Sequence, residues 1–278
     1  MEKGPELTLP FDLIFADTCI GGSTVAGHLG RARTGLRAFY LADYAVNPLG
    51  VKSPDAVRKA LEGWVRAAQG RASTLVVACN TASARLEGAS EVRGLASSLG
   101  IRLFSMVDFL DRTLKDSTRE VRGKRVCLMG TEFTVGQGGY RKRLTEAGAG
   151  SIISLAATRT ERAIAHFRHE SPQGRAQILE EVREMVRESE TVLLACTCFP
   201  LVGDLLREAN PGVSLLDPGV GVESLPQIKG RKGPNLMTVG VTGSVLSASE
   251  IRRNFHRIFP GWELEEVVGH SPGQSSGS

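Results

Sequence analysis

Two stretches decide how this chain folds: Leu75-Val76-Val77-Ala78-Cys79-Asn80-Thr81-Ala82-Ser83 and Val192-Leu193-Leu194-Ala195-Cys196-Thr197-Cys198-Phe199-Pro200. Each opens with an apolar run too short for a buried helix and ends abruptly in small and polar residues. Runs of this kind are strands covered on both faces, as in a parallel sheet. Leu13-Ile14-Phe15, Ala38-Phe39-Tyr40-Leu41 and Val126-Cys127-Leu128-Met129 have the same character. Amphipathic segments separate them. Ser53-Pro54-Asp55 supplies an N-cap, a proline at the first helical position and an early acid. Val57, Leu61, Trp64, Val65 and Ala68 then recur at helical spacing. Ser171-Pro172 opens a second such helix, carrying Ile178, Leu179, Val182, Met185 and Val186. The alternation predicts an α/β fold of parallel βαβ units.

The two stretches echo one another, and a second echo precedes them. Phe15-Ala16-Asp17-Thr18 leads to Gly21-Gly22, as Leu128-Met129-Gly130-Thr131 leads to Gly136, Gly138 and Gly139. Each half of the chain thus offers a threonine loop and, at nearly the same distance beyond it, a cysteine loop. This fits a duplicated α/β unit. Ligands of open α/β sheets bind beyond the carboxyl ends of the strands, and Cys79 and Cys196 both sit at such ends. A cleft between the halves lets them face one another across a ligand.

Composition excludes several classes. Over 278 residues, 34 basic against 30 acidic side chains leave a net charge of +4, spread along the chain without a dense block. That is a mild attraction for anions and not a nucleic-acid surface. No apolar run reaches the length of a membrane span. Met1 to Glu6 does not read as a secretion signal, and the small polar stretch Gly269 to Ser278 reads as a disordered end. Five cysteines, an odd number, point to free thiols in a reducing, cytoplasmic setting. Neither G-x-G-x-x-G nor a P-loop is present, so nucleotide binding has no support.

One Ala-Cys-polar-polar motif reads equally as a core cysteine ahead of a polar cap; two copies are hard to credit to packing alone. Cys79 beside Asn80, Thr81 and Ser83 is a thiol among hydroxyl and amide donors. A helix starting there would lower its pKa. Cys196-x-Cys198 also admits a metal, but the nearby His166 and His169 complete no known zinc spacing, so no metal is expected. A disulfide catalyst would need Cys-x-x-Cys, which is absent. In Asp17-Thr18-Cys19-Ile20-Gly21-Gly22 the acid can orient or deprotonate a thiol, and the glycines let backbone approach a carboxylate.

Taken together, these residues resemble glutamate racemase, of the aspartate/glutamate racemase superfamily. The resemblance rests on Asp17-Thr18 with Gly21-Gly22, Asp43 with Asn47-Pro48-Leu49-Gly50, Ala78 to Ser83, Gly130-Thr131 with Thr134, Cys196 to Leu201, and Asp217-Pro218-Gly219. It implies two similar parallel-sheet α/β domains with the active site in the cleft between them. The first is set at residues 1–105 and 213–278, and the second at 106–212. It implies no cofactor and a small carboxylic or amino acid as ligand, with no nucleic-acid or membrane partner. A second copy of the chain, as a homodimer, is left open. By resemblance Cys79 and Cys196 are the acid–base pair, one thiolate removing an alpha proton and the opposite thiol returning one to the other face. Asp17 helps Cys79, and Glu161 matches the acid of the second half. Thr18, Pro48, Leu49, Gly50, Asn80, Thr81, Thr131, Thr134 and Thr197 are the matching substrate-binding positions. Three departures stand out. Cys198 occupies the position of the family's histidine, Leu49 that of a tyrosine, and Asp17-Thr18-Cys19 replaces Asp-Ser-Gly. Cys198 is thus a further candidate for the catalytic set. The resemblance implies an amino-acid racemase of the glutamate type. Two alternatives are an isomerase or decarboxylase of the same fold that uses its cysteines asymmetrically, and a non-catalytic ligand-binding homologue.

Overall fold

The computed structural model describes residues 9–226, 228, 230–243 and 246–270. Met1 to Glu6 and most of the expected disordered end lie outside them. Among the described residues ten strands form two sheets, and every pairing between these strands is parallel. They are β1 (Leu13–Asp17), β2 (Arg37–Asp43), β3 (Thr74–Val77), β4 (Arg102–Ser105), β5 (Arg125–Gly130), β6 (Ser151–Ala156), β7 (Thr191–Ala195), β8 (Ser214–Leu216), β9 (Leu236–Thr242) and β10 (Glu263–His270). The first sheet runs β10-β9-β2-β1-β3-β4 and the second β6-β5-β7-β8. The order β2-β1-β3-β4 is repeated as β6-β5-β7-β8, so each half places its first strand centrally and the next two on either side. The duplicated unit read from the sequence has this physical form. It corrects one boundary: Ser214–Leu216 pairs with β7. The chain therefore returns to the first sheet after Leu216, and not at residue 213.

Every residue of β1, β3 and β7 is buried. Helices cover both faces of each sheet, which is why these strands are written as uninterrupted apolar runs. In the helix Pro54–Ala68, the Ser53 hydroxyl accepts the Ala56 N–H, and Val57, Leu61, Trp64, Val65 and Ala68 are all buried. A cap of this kind contributes about 1 kcal/mol; the larger share comes from the five buried side chains, at ~1.5–3 kcal/mol for each large one. In the helix Pro172–Arg187 the Ser171 hydroxyl accepts the Gly174 N–H, and Ile178, Val182 and Val186 are buried. No helix among the described residues is long and apolar enough to cross a membrane.

Strand register brings the two loops of each half together. Ala16 pairs with Val77, and the Ala78 N–H bonds to the Ala16 carbonyl at 2.8 Å, which sets Asp17 beside Cys79. Gly130 pairs with Ala195, which sets Thr131 beside Cys196.

Candidate functional site

The chain switches direction at β1 and at β5, each flanked by the two strands that come after it. Such switch points open a crevice at the carboxyl ends of the strands. Here the two crevices share a cavity of about 800 Å³. Its walls come from the segments following β1, β2 and β3 of one sheet and β5, β6 and β7 of the other. Thirteen of the fourteen residues expected from the sequence line it: Asp17, Thr18, Pro48, Leu49, Gly50, Cys79, Asn80, Thr81, Thr131, Glu161, Cys196, Thr197 and Cys198. Thr134 does not. Its hydroxyl lies behind the wall, 2.9 Å from that of Thr131 and 3.3 Å from that of Thr81. From there it fixes those two hydroxyls.

Asp17 is the best-anchored group. One carboxylate oxygen accepts the Thr18 N–H at 2.6 Å; the other accepts the Gly22 N–H at 2.6 Å and the Thr197 hydroxyl at 3.1 Å. Thr197 belongs to the second half, so Asp17 ties the loop after β1 to the Cys196 loop. Burial pushes its pKa up to about 6, against the pull of these hydrogen bonds. Gly22 is glycine of necessity: a Cβ there would stand 2.8 Å from the Cβ of Ala78.

Cys79 precedes the helix Asn80–Leu86. Burial, and then the Asp17 charge, push its thiol well above the ordinary value, while the Ala82 N–H opposes them. The Thr18 hydroxyl lies 3.8 Å from the sulfur. The lowered thiol pKa expected from a helix start is therefore overridden by desolvation, since a thiolate loses its water here. A raised Asp17 compensates in part. A carboxylate of higher pKa is a stronger base, and lies closer in pKa to a thiol. Asn80 donates to the Tyr140 hydroxyl at 2.8 Å, and its Oδ1 is buried without a partner among the described residues.

The Cys196 side is built differently. At the position where the resemblance implies histidine, Cys198 Sγ lies 3.6 Å from Cys19 Sγ. The contact with Cys19, then that with Cys196, and burial hold Cys198 well above an ordinary thiol. Cys19 rises to about 11: the Cys198 contact pulls it down, and burial with the Asp17 and Glu161 charges outweighs that pull. Glu161 is carried by the helix Thr158–Ala165. Its pKa goes up to about 7, through burial first and the Asp17 charge second, with Arg162 opposing. Arg162 lines the same cavity.

Sequence reasoning left Cys19 out of the site, although it stands two positions after Asp17 in the same loop. It also missed Tyr44, whose hydroxyl accepts the Ile20 N–H and donates to the Ala165 carbonyl, both at 3.2 Å, joining the walls. Phe133 and Arg162 had no signal beyond proximity to Thr131 and Glu161. Of the two histidines weighed as metal ligands, His166 lines the cavity and His169 is buried beside Glu170.

The model of the Asp/Glu/Hydantoin racemase family matches residues 34–221. A curated glutamate racemase from Synechococcus sp. is 28% identical over 214 residues, 75% of this chain and 76% of its own. One from Exiguobacterium sibiricum is 24% identical over 254 residues, 88% and 90% of the two chains. Among solved structures, a glutamate racemase isoform from Bacillus anthracis superposes with a TM-score of 0.75 at 21% identity, covering 94% of this chain and 97% of that one. The aspartate racemase of Picrophilus torridus superposes with a TM-score of 0.52 at 17% identity, over 75% and 88% of the two chains. With two thirds of its length inside the family model and a two-sheet parallel architecture shared with these structures, the chain belongs to the Asp/Glu/hydantoin racemase family of isomerases, as a divergent member.

Proposed function

We propose that this isomerase racemises a small acidic amino acid without a cofactor, Cys79 and Cys196 exchanging the alpha proton on opposite faces. The observation that carries this is the equivalence of the two thiols. Each follows the end of the corresponding strand of topologically matched sheets, Cys196 directly and Cys79 after Ala78, and both open on one cavity, with Asp17 beside Cys79 and hydrogen-bonded to Thr197 of the Cys196 loop. Inversion needs that arrangement, because a single base returns the proton to the face it left. Thr81, Thr131 and the backbone N–H groups at the strand ends are the donors for the substrate carboxylate, where charge builds as the proton leaves. Arg162 supplies a positive charge on the same wall, which favours an acidic substrate. Five buried free thiols support a reducing, cytoplasmic setting.

The test is alpha-proton exchange in D₂O, followed by NMR with both enantiomers of glutamate and aspartate. Exchange is expected with at least one acid, and Cys79→Ala and Cys196→Ala should each abolish racemisation. No exchange with any acid would overturn the reading. The Cys19–Cys198 contact in place of a histidine favours a second reading, asymmetric use of the cysteines by an isomerase or decarboxylase. In that case one of the two variants keeps exchange on a single face.

A further inference from the structure

The segments after β1, β6 and β7 meet in a group of side chains that the proton-transfer scheme leaves partly idle. Cys19 Sγ and Cys198 Sγ are 3.6 Å apart, and the Glu161 carboxylate completes a set whose donor atoms all lie within 4.8 Å of one another. Among the described residues this is the one group of three or more histidine, cysteine or acidic side chains so placed. A tetrahedral zinc ion holds sulfur at about 2.3 Å and carboxylate oxygen at about 2.0–2.2 Å, which sets two ligand sulfurs about 3.8 Å apart and sulfur and oxygen about 3.5 Å apart. The two sulfurs already stand at that separation, and a rotation of the Glu161 side chain is what the oxygen requires.

Two further features support metal ligation. The Gly21 N–H donates to Cys19 Sγ at 3.3 Å, a contact that favours thiolate over thiol. Gly21 also lets the loops meet, because a Cβ there would stand 2.5 Å from Cys198 Sγ. Charge balances as well. Two thiolates and a carboxylate carry three negative charges, which a divalent ion and the Arg162 guanidinium in the same cavity neutralise.

We propose that Cys19, Cys198 and Glu161 form a binding site for one thiophilic divalent cation, with Zn²⁺ as the ion whose ligand preference fits. Binding converts two S–H groups to thiolates and releases their two protons to solvent, together with the Glu161 proton where that carboxyl is still protonated; no electron moves. Affinity therefore rises with pH. Three protein ligands leave the fourth tetrahedral position to water or a small ligand in the cavity. The sequence hides this set, because Cys19 comes from the opposite half of the chain and is no part of the Cys196-x-Cys198 spacing. An ion here engages Cys198 and Glu161 beside Cys196, so it inhibits proton exchange reversibly. That last clause rests on the racemase reading; the binding does not.

The test uses the full chain, reduced with a phosphine and stripped with a chelator, and takes Co²⁺ alone as the probe. One ion per chain is expected, with a thiolate-to-cobalt charge-transfer band that Zn²⁺ bleaches by displacement. Cys19→Ser and Cys198→Ser should each weaken binding by at least about 10–100-fold, the range seen when a metal's surroundings are disturbed. Glu161→Gln should weaken it less, and Cys79→Ser should leave it unchanged. Circular dichroism checks that each variant is folded. An intact band in Cys19→Ser or Cys198→Ser, or its loss in Cys79→Ser, overturns the assignment. If the reduced chain takes no cobalt while the aerated chain loses two thiols to a Cys19–Cys198 disulfide, the pair is a redox couple and the metal site is refuted. Chelator-reversible inhibition of D₂O exchange by Zn²⁺ tests the regulatory clause. If the ion binds and exchange persists, the site stands and the inhibition falls; if no acid exchanges at all, the cobalt band still decides the site.

Discussion

Replacing Glu161 by Gln should make the protein more stable, and only above a certain pH. The Glu161 carboxyl accepts no hydrogen bond from a described residue that would hold it ionised, and burial and Asp17 push its pKa from 4.5 to about 7. At 1.36 kcal/mol per pH unit, that difference corresponds to about 3 kcal/mol favouring the neutral form in the fold. The sign comes from linkage. A carboxyl whose folded pKa is raised contributes stability that is fully present below pH 4.5 and lost as pH rises through 7, because the unfolded chain ionises first. At pH 8 the wild-type protein has lost up to ~3 kcal/mol that a neutral amide keeps; at pH 4 the two side chains are nearly alike. Glu161 is only part-buried, so about 3 kcal/mol is the upper bound. At about 2–4 °C per kcal/mol for a chain approaching this size, Glu161→Gln should raise Tm by at most about 6–12 °C at pH 8 and by almost nothing at pH 4. Thermal and urea unfolding at both pH values measure this, alongside alpha-proton exchange, which should fall. An equal gain at both pH values, or a loss at pH 8, refutes the argument. It would mean that the carboxylate is solvated or paired in solution.

The remaining expectations concern Asp17 and the glycines. If Asp17 must be ionised to activate Cys79, exchange should fall on the acid side with an apparent pKa near 6, the value burial gives it. A profile flat down to pH 5 removes Asp17 from the reaction. Gly21→Ala places a Cβ 2.5 Å from Cys198 Sγ and 2.9 Å from its backbone N, so it should cost ~1–3 kcal/mol and disturb the cysteine contact. Gly63→Ala, inside the helix Pro54–Ala68 with nothing within 4 Å of the new Cβ, should instead gain ~0.5–1 kcal/mol. Equal unfolding free energies for the two variants would show that the loop is slack.

Legibility in the sequence tracks how parallel sheets are buried. β1, β2, β3, β5 and β7 are central strands that need apolar residues on both faces, so they are written as unbroken runs. β6 and β10 are edge strands. Ser151–Ala156 keeps a single residue fully buried, and Glu263–His270 carries three glutamates. Neither shows the signature, and neither was anticipated. β9 is central and buried, but Gly240 interrupts its apolar pattern; a Cβ there would meet the Phe39 ring at 2.4 Å, so packing took the position that pattern reading needed. The candidate site was legible wherever a residue comes at the end of a central strand or within two positions of it, as Asp17, Cys79, Thr131 and Cys196 do. It was not legible where contact crosses the halves. Cys19 and Cys198 are 179 positions apart, and only the closure of one sheet against the other brings them together.

That difference bears on mechanism. The halves match in strand order, yet they surround their thiols with unlike chemistry. Cys79 has a carboxylate of raised pKa, a hydroxyl and the Ala82 N–H around it, a set able to take its proton and then hold the thiolate. Cys198, on the loop of Cys196, has a second thiol and an acid near it, groups that accept charge poorly when buried. A histidine in that place would shuttle a proton near neutral pH. A thiol pair with raised pKa values does so only at higher pH, or once something binds it. With Asp17 beside it to take its proton, Cys79 should be the easier base in spite of its raised thiol pKa, with the Cys196 direction setting the slower rate. The two enantiomers of a true substrate should exchange at unequal rates in D₂O, and the gap should narrow as pH rises.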